Sequence, residues 1–312
     1  MNIVIFQEGS PGHEKQSLAV LNELEKLVDI QARFIKLKRL SSLEKLRSLL
    51  HLYFYADGGC RHVLNSPDLL LGTGTQTHLD ILATKKKYRI PAVTCMAPDF
   101  FLRNRFDLCF VPRHDGLAEA DNIFLTDGPP VTTGFSQKIP GSKGLILIGG
   151  PNAYSKGWET DHICSYVQAI TEKRDSTHWT VSTSPRTPGD TSAALQKIAE
   201  ASPEVEFFHF RDTPAGWVEK KYEESDITWV TVDSMSMIYE ALTAGCKVGL
   251  LPLDWKKTDN KFKRSMNELV GKGLAVDFRD WQTDKSLWRE GIRFNEAQRC
   301  AEEIVRRWSI KS

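Results

Sequence analysis

Apolar and polar positions alternate along this chain with two different periods. Short apolar-rich runs at 3–6, 32–37, 68–71, 91–96, 107–111 and 122–125 read as strands. Between them, 14–27, 41–52 and 75–88 carry apolar residues at helical spacing. Leu18, Leu21, Leu24 and Leu27 form one stripe on the first of these, and Ser41-Ser42 offers the second a cap. Strand and helix alternating in this way predicts a mainly parallel sheet covered on both faces.

Residues 134–143 include Pro140 and two glycines, lack periodicity, and read as a linker. The rhythm then restarts, with strands at 145–148, 178–182, 205–208, 227–232 and 247–250. Helical spacing appears at 160–173, 190–201, 214–222, 236–243 and 260–272, and again in the tail at 288–308. The predicted class is α/β: two doubly wound, Rossmann-like parallel-sheet domains at 1–135 and 143–285, followed by a helix within 286–312.

Composition narrows the function. Hydrophobic residues make up 41% of the 312 and charged residues 26%, as expected of a folded, water-soluble chain. The net charge of +1 gives no general case for a nucleic-acid partner. No apolar stretch is long enough to span a bilayer, and no basic segment precedes the first strand, so neither a span nor a cleaved export signal is expected. The six cysteines form no C-x-x-C pair and several sit in apolar runs, which predicts buried reduced thiols and a cytoplasmic setting. The eight histidines show no metal-binding spacing, and no metal site is expected. One region departs from neutrality: residues 33–113 hold 14 Lys+Arg against 6 Asp+Glu, an excess of 8, around the apolar run Leu52-Tyr53-Phe54-Tyr55-Ala56. It reads either as solvated helix faces plus one core segment, or as a basic surface facing a phosphorylated acceptor or anionic lipid on the inner face of a membrane.

Five motifs follow predicted strands. Gly9-Ser-Pro-Gly12-His13, with Gln16 beyond it, is a glycine-containing loop opening a helix, and it matches neither a dinucleotide nor a Walker fingerprint. His13 there either acts as a base or hydrogen-bonds its own loop. Gly74, Gln76 and Thr77 form a second wall or an ordinary tight turn. His114 and Asp115 are a base, a phosphate contact or a plain turn. Gly149-Gly150 would leave room for a diphosphate, beside Ser184 and Arg186, whose guanidinium fork either suits phosphate oxygens or is a surface group on a rigid loop. Asp233-Ser234-Met235-Ser236-Met237 opens a helix that Asp233 or Ser234 is expected to cap and that sets Glu240 one turn beyond Ser236, an arrangement also able to take a phosphate and a ribose diol.

Asp233-Ser-Met-Ser-Met-Ile-Tyr-Glu240, Gly149-Gly150-Pro, Ser184-Pro-Arg186-Thr-Pro, Arg113-His-Asp115 and Gly12-His13-Glu-Lys-Gln16 together resemble the mitochondrial-fission family first named for elongated plant mitochondria. That family is similar to glycosyltransferases of the GT-B fold, whose two Rossmann-like domains face each other across a cleft. The resemblance implies that Glu240 contacts the donor ribose and Ser234 and Ser236 its phosphates. It implies that Gly149, Gly150 and Arg186 line the donor side, that His13 lies near sugar and acceptor, and that the final helix crosses back to the first domain. The function expected is metal-independent transfer of a sugar from a UDP-type nucleotide-sugar co-substrate, with no other cofactor, to a cell-envelope or lipid-linked acceptor. A sugar-nucleotide epimerase and a non-catalytic, membrane-peripheral adaptor are the other readings.

Overall fold

The computed structural model describes residues 1–55, 57–62, 67–140, 143–172, 177–289 and 291–308. Ala56 of the apolar run, Lys173 at a predicted helix end and residues 141–142 of the linker lie outside them. The described chain forms two units, one of residues 1–132 with 295 onward and one of 133–294.

The first unit begins with β1 (Asn2–Gln7), α1 (Pro11–Leu24), β2 (Gln31–Lys36), α2 (Ser42–Phe54), β3 (Leu69–Gly72) and α3 (His78–Tyr88). It continues with β4 (Ala92–Thr94), α4 (Phe100–Arg103), β5 (Leu108–Pro112) and β6 (Ile123–Thr126). The second unit holds β7 (Lys143–Leu147), α5 (Thr160–Thr171), β8 (His178–Ser182), α6 (Gly189–Glu200), β9 (Val205–Phe208) and α7 (Trp217–Glu224). It ends with β10 (Ile227–Thr231), α8 (Met235–Thr243), β11 (Lys247–Leu251), α9 (Lys261–Gly271), β12 (Ala275–Asp277) and α10 (Phe278–Thr283). The last helix, α11 (Glu296–Trp308), belongs to the first unit and packs along α1.

Each unit contains one six-stranded sheet, ordered β2-β1-β3-β4-β5-β6 and β12-β11-β10-β7-β8-β9. Every strand pair is parallel. Because side chains alternate along a strand, one apolar run feeds two cores. Ile3, Ile5, Leu69 and Leu71 meet α1 and α11 through Val20, Leu24 and Ile304. Val4, Phe6 and Leu70 meet Leu52 of α2 and Ile81 of α3. In the second unit Gly249 of β11 sits opposite Trp229 of β10, and a Cβ on Gly249 would lie 2.2 Å from that ring. Removing one side chain there is what admits a fully buried indole.

The structure corrects several expectations. Helix α1 starts at Pro11, not after His13, because proline's fixed φ suits a first helical position. It ends at Leu24, so the predicted leucine stripe is cut short: Leu21 and Leu24 are buried, while Leu18 and Leu27 are exposed. The face toward the core is Ser17, Val20, Leu21 and Leu24. Among the described residues the tail is helical only from Glu296, and Trp288 instead packs its ring 5.5 Å from that of Trp229; residue 290 of the predicted helix lies outside them. β12 and α10 fall between predicted elements. All six cysteines are free thiols, four of them buried, and burial pushes Cys95 and Cys109 up to about 12.

Candidate functional site

In an open parallel sheet, the chain leaves a crevice at the carboxyl ends of the two strands where the winding reverses. In the first unit this point lies between β1 and β3, and in the second between β7 and β10. Four of the five motifs sit at these two points or next to them.

In the first unit the organising residue is one that the sequence reading passed over. Glu8 follows β1 with its side chain only 9% exposed. Its Oε2 accepts the Gln76 backbone N–H at 2.9 Å, and its Oε1 lies 2.6 Å from His13 Nδ1. A carboxylate only accepts, so Nδ1 carries the proton and Nε2 is the basic nitrogen of a ring that is 38% exposed. Gly74 is the residue this geometry requires. Its φ is +108°, and a Cβ there would lie 2.1 Å from the Glu8 carboxyl carbon. Thr77 closes the turn by donating to the Gly74 carbonyl at 2.7 Å, and the Ser17 and Thr73 hydroxyls pair beneath it at 2.8 Å. Gly9 supplies the turn out of β1 at φ +85°, its N–H donating to Glu14. Gly12 and Gln16 lie on α1 beside His13, and nothing crowds a Cβ at Gly12.

His78, the first residue of α3, is fully buried against Phe106 and has its pKa lowered to about 4 by burial, so it is a neutral core imidazole. His114 and Asp115 lie at the carboxyl end of β5, two strands beyond β3. There they form a single 3-10 turn in which His114 is buried and Asp115 exposed, 3.8 Å apart. They do not share the switch point with His13.

In the second unit the two predicted motifs converge, and they bind each other. The Asp233 carboxylate is wholly buried and takes the Gly150 N–H at 3.0 Å and the Arg186 guanidinium at 2.7 Å. Arg186 also donates to the Gly150 carbonyl at 2.8 Å. The Gly149 N–H donates to the Thr231 hydroxyl at 2.7 Å, and Thr187 donates to the Ile148 and Gly149 carbonyls. The expected duty of the glycine pair, room for a diphosphate, is thus replaced by another. A Cβ on Gly149 would meet Asp233 at 2.3 Å, and one on Gly150 the Arg186 carbonyl at 2.1 Å. The glycines admit the neighbouring motifs. Burial raises the Asp233 pKa against the opposing pull of the Gly150 N–H and Arg186. Arg186 remains 40% exposed, with Nη2 held by Asp233 and Nη1 by the Gly150 carbonyl. Ser184 is buried, its hydroxyl accepting the Arg186 N–H at 3.3 Å and holding that loop.

Helix α8 begins directly after this knot. Ser234 occupies its cap position but makes no side-chain cap, and the first intrahelical bond is Ile238 N–H to Ser234 O at 3.2 Å. The amides of Met235, Ser236 and Met237 precede it at the positive end of the helix. Ser236 is exposed, and Met237 and Glu240 are half-buried. Glu240 accepts at 3.3 Å from the hydroxyl of Tyr222, a fully buried residue of α7 that also donates to the Met237 carbonyl. Tyr222, like Glu8, was not legible as a site residue. Among the described residues, no group of three or more His, Cys, Asp or Glu side chains is placed to hold a metal ion. No helix among them is long and apolar enough to cross a membrane.

The architecture occurs in solved proteins. The UDP-GlcNAc 2-epimerase of Methanocaldococcus jannaschii is 13% identical, matches over 100% of both chains and superposes with a TM-score of 0.61. MnaA of S. aureus, solved with UDP, is 14% identical over 97% of this chain and 94% of that one, with a TM-score of 0.57. The glycosyltransferase of kitacinnamycin is 14% identical over 98% of each chain, with a TM-score of 0.51. At these identities the likeness shows the fold, which is GT-B. No curated protein matches the sequence significantly. Residues 11–308 match the family described as Mitochondrial fission ELM1, and the chain belongs to the Mitochondrial fission ELM1 family.

Proposed function

We propose that the protein transfers a sugar from a UDP-type nucleotide-sugar to a cell-envelope or lipid-linked acceptor, without a metal. The observation that carries the reading is the Glu8–His13 pair at a switch point. A histidine whose Nδ1–H is held by a buried carboxylate keeps its other nitrogen basic and stabilises the imidazolium that forms when it takes a proton. In the proposed step an acceptor hydroxyl attacks the anomeric carbon as its proton passes to His13 Nε2. The bond from that carbon to the phosphate oxygen breaks, and the nucleotide diphosphate leaves with the electron pair.

The second unit has the donor side. The first-turn amides of α8 and the Ser234 and Ser236 hydroxyls would meet the diphosphate charge, with Arg186 held in reserve by Asp233. Glu240 would take the ribose diol, oriented by Tyr222. The structural neighbour solved with UDP supports the choice of nucleotide.

A second reading, epimerisation of the nucleotide-sugar, is favoured by the full-length likeness to a 2-epimerase. There the same pair would move a proton on the sugar itself. Calorimetry against UDP and UDP-sugars tests the common premise: binding to the wild type, and at least ten-fold weaker binding to Glu240→Gln. Product analysis with and without an acceptor then separates the two reactions, since only epimerisation proceeds alone. Loss of turnover with unchanged nucleotide affinity in His13→Ala supports the base, and equal loss of both refutes it.

A further inference from the structure

Helix α2 has two apolar faces. Leu49 and Leu52 turn toward the sheet, where Leu52 is buried. Leu43, Leu46, Leu50, Tyr53 and Phe54 fall within about 100° of arc at the helical step of ~100° per residue, and all five are exposed. Leu43 is 77% exposed and Phe54 78%. Phe100, the first residue of α4, is 81% exposed. The two helices are joined here, because the Tyr53 hydroxyl donates to the Phe101 carbonyl at 3.2 Å. A contiguous aliphatic and aromatic surface of this kind marks an interaction site.

Its charge surroundings say what it meets. At the C-terminal end of α2 lies a cavity of about 600 Å³, with Lys85, Lys86, Arg89 and Arg105 in its wall against the single acid Asp107. Lys85 pairs with Asp107 at 2.8 Å, and Lys86 donates to the Leu52 carbonyl at 2.8 Å. The Arg105 guanidinium lies 4.0 Å from the centre of the Tyr53 ring, which ties the cationic cavity to the apolar stripe. Arg47 and Lys87 add exposed cations close by in sequence.

We propose that this face docks on an anionic phospholipid bilayer. The stripe on α2 and Phe100 enter the boundary between headgroups and acyl chains, and the cationic cavity takes headgroup phosphates. A second copy of the chain fits less well, because a two-fold contact would set this excess of cations against itself. The surface lies within the first unit and does not depend on the sugar-transfer reading.

Vesicle co-sedimentation of the full chain tests it, with phosphatidylcholine alone and with phosphatidylglycerol added. Binding is expected only to the anionic vesicles and at least ten-fold weaker in high salt. Inorganic phosphate at matched ionic strength should displace no more protein than chloride does, since the bilayer and not free phosphate is the ligand. Leu46→Ser/Leu50→Ser/Phe54→Ser should reduce binding at least ten-fold with an unchanged melting temperature. Arg47→Glu/Lys87→Glu/Arg89→Glu should do the same, at on the order of five-fold for each cation removed. Absence of binding to anionic vesicles overturns the proposal. So does binding that both variants retain, or a concentration-dependent dimer that the apolar variant abolishes. Glu240→Gln should bind vesicles like the wild type, so a chain that binds lipid but no nucleotide refutes only the sugar-transfer reading, and the reverse refutes only this one.

Discussion

Substituting Gly74 by alanine probes the first switch point directly. Two costs arise from one methyl group. The backbone there has φ +108°, which an L side chain adopts at a cost of about 1–3 kcal/mol. The new Cβ would also lie 2.1 Å from the Glu8 carboxyl carbon, so the carboxylate must leave. With it goes the charge-assisted bond from the Gln76 N–H, worth roughly 1.5–3 kcal/mol, besides the hold on His13. The sum is about 2.5–6 kcal/mol, which for a unit of this size lowers the melting temperature by roughly 5–24 °C. The probes can be separated, because seven of the eight tryptophans (158, 179, 217, 229, 255, 281 and 288) lie in the second unit. Loss should therefore appear in far-ultraviolet circular dichroism at temperatures where tryptophan fluorescence still reports a folded second unit. Adding Glu8→Ala removes the collision but not the backbone cost, so the double variant should be less destabilised than the two single effects summed. A Gly74→Ala protein that melts within a degree of the wild type, or a cycle with no coupling, would refute the assignment of Glu8 as the hub.

Three further outcomes follow from the packing. His78 has a folded pKa of about 4, below its unfolded value, so its stabilising contribution is complete above pH ~6.5 and is lost as pH falls toward 4, at about 1.4 kcal/mol per unit. Urea titrations should show that slope in the first unit, flattened in His78→Gln. Gly249→Ala sets a methyl group 2.2 Å from the Trp229 ring and should destabilise the second unit by at least ~1–3 kcal/mol, seen as an earlier fluorescence transition. Tyr222→Phe leaves the packing but removes the donor to Glu240, so calorimetry should show weaker nucleotide binding with a loss of stability of only about 1 kcal/mol.

The sheets were readable because a strand buried on both faces must be an apolar run, and runs such as Leu69–Gly72 have no other use. The loops at their carboxyl ends were readable as candidate sites for the same reason. Their internal roles were not. Glu8 looks like any acidic residue after a strand, and its importance comes from Gln76, 68 positions away. The Gly149-Gly150 pair reads as open space until Asp233 and Arg186, far along the chain, are seen filling it. Leu18 and Leu27 fit the helical period, but Leu27 lies beyond the helix end at Leu24, and Leu18 lies off the face of α1 that Ser17, Val20, Leu21 and Leu24 turn to the core. Trp288 fits the period of the tail, yet its ring packs 5.5 Å from that of Trp229 in the core of the second unit instead.

The seam between α1 and α11 bears on how this protein is made. Cys300, Ala301 and Ile304 complete the core beneath Ile3, Ile5 and Leu24, and Asn295 reaches Glu23 at 3.0 Å. A ribosome therefore releases the opening lobe long before its closing segment exists, while every strand of the middle lobe has already emerged. Biogenesis should run out of order, with the middle lobe finished first and the opening lobe waiting, unsealed and in need of chaperone cover. A gene fragment ending at Thr132 should yield aggregates, whereas co-expressing the missing helix, or splicing it ahead of Met1, should restore solubility.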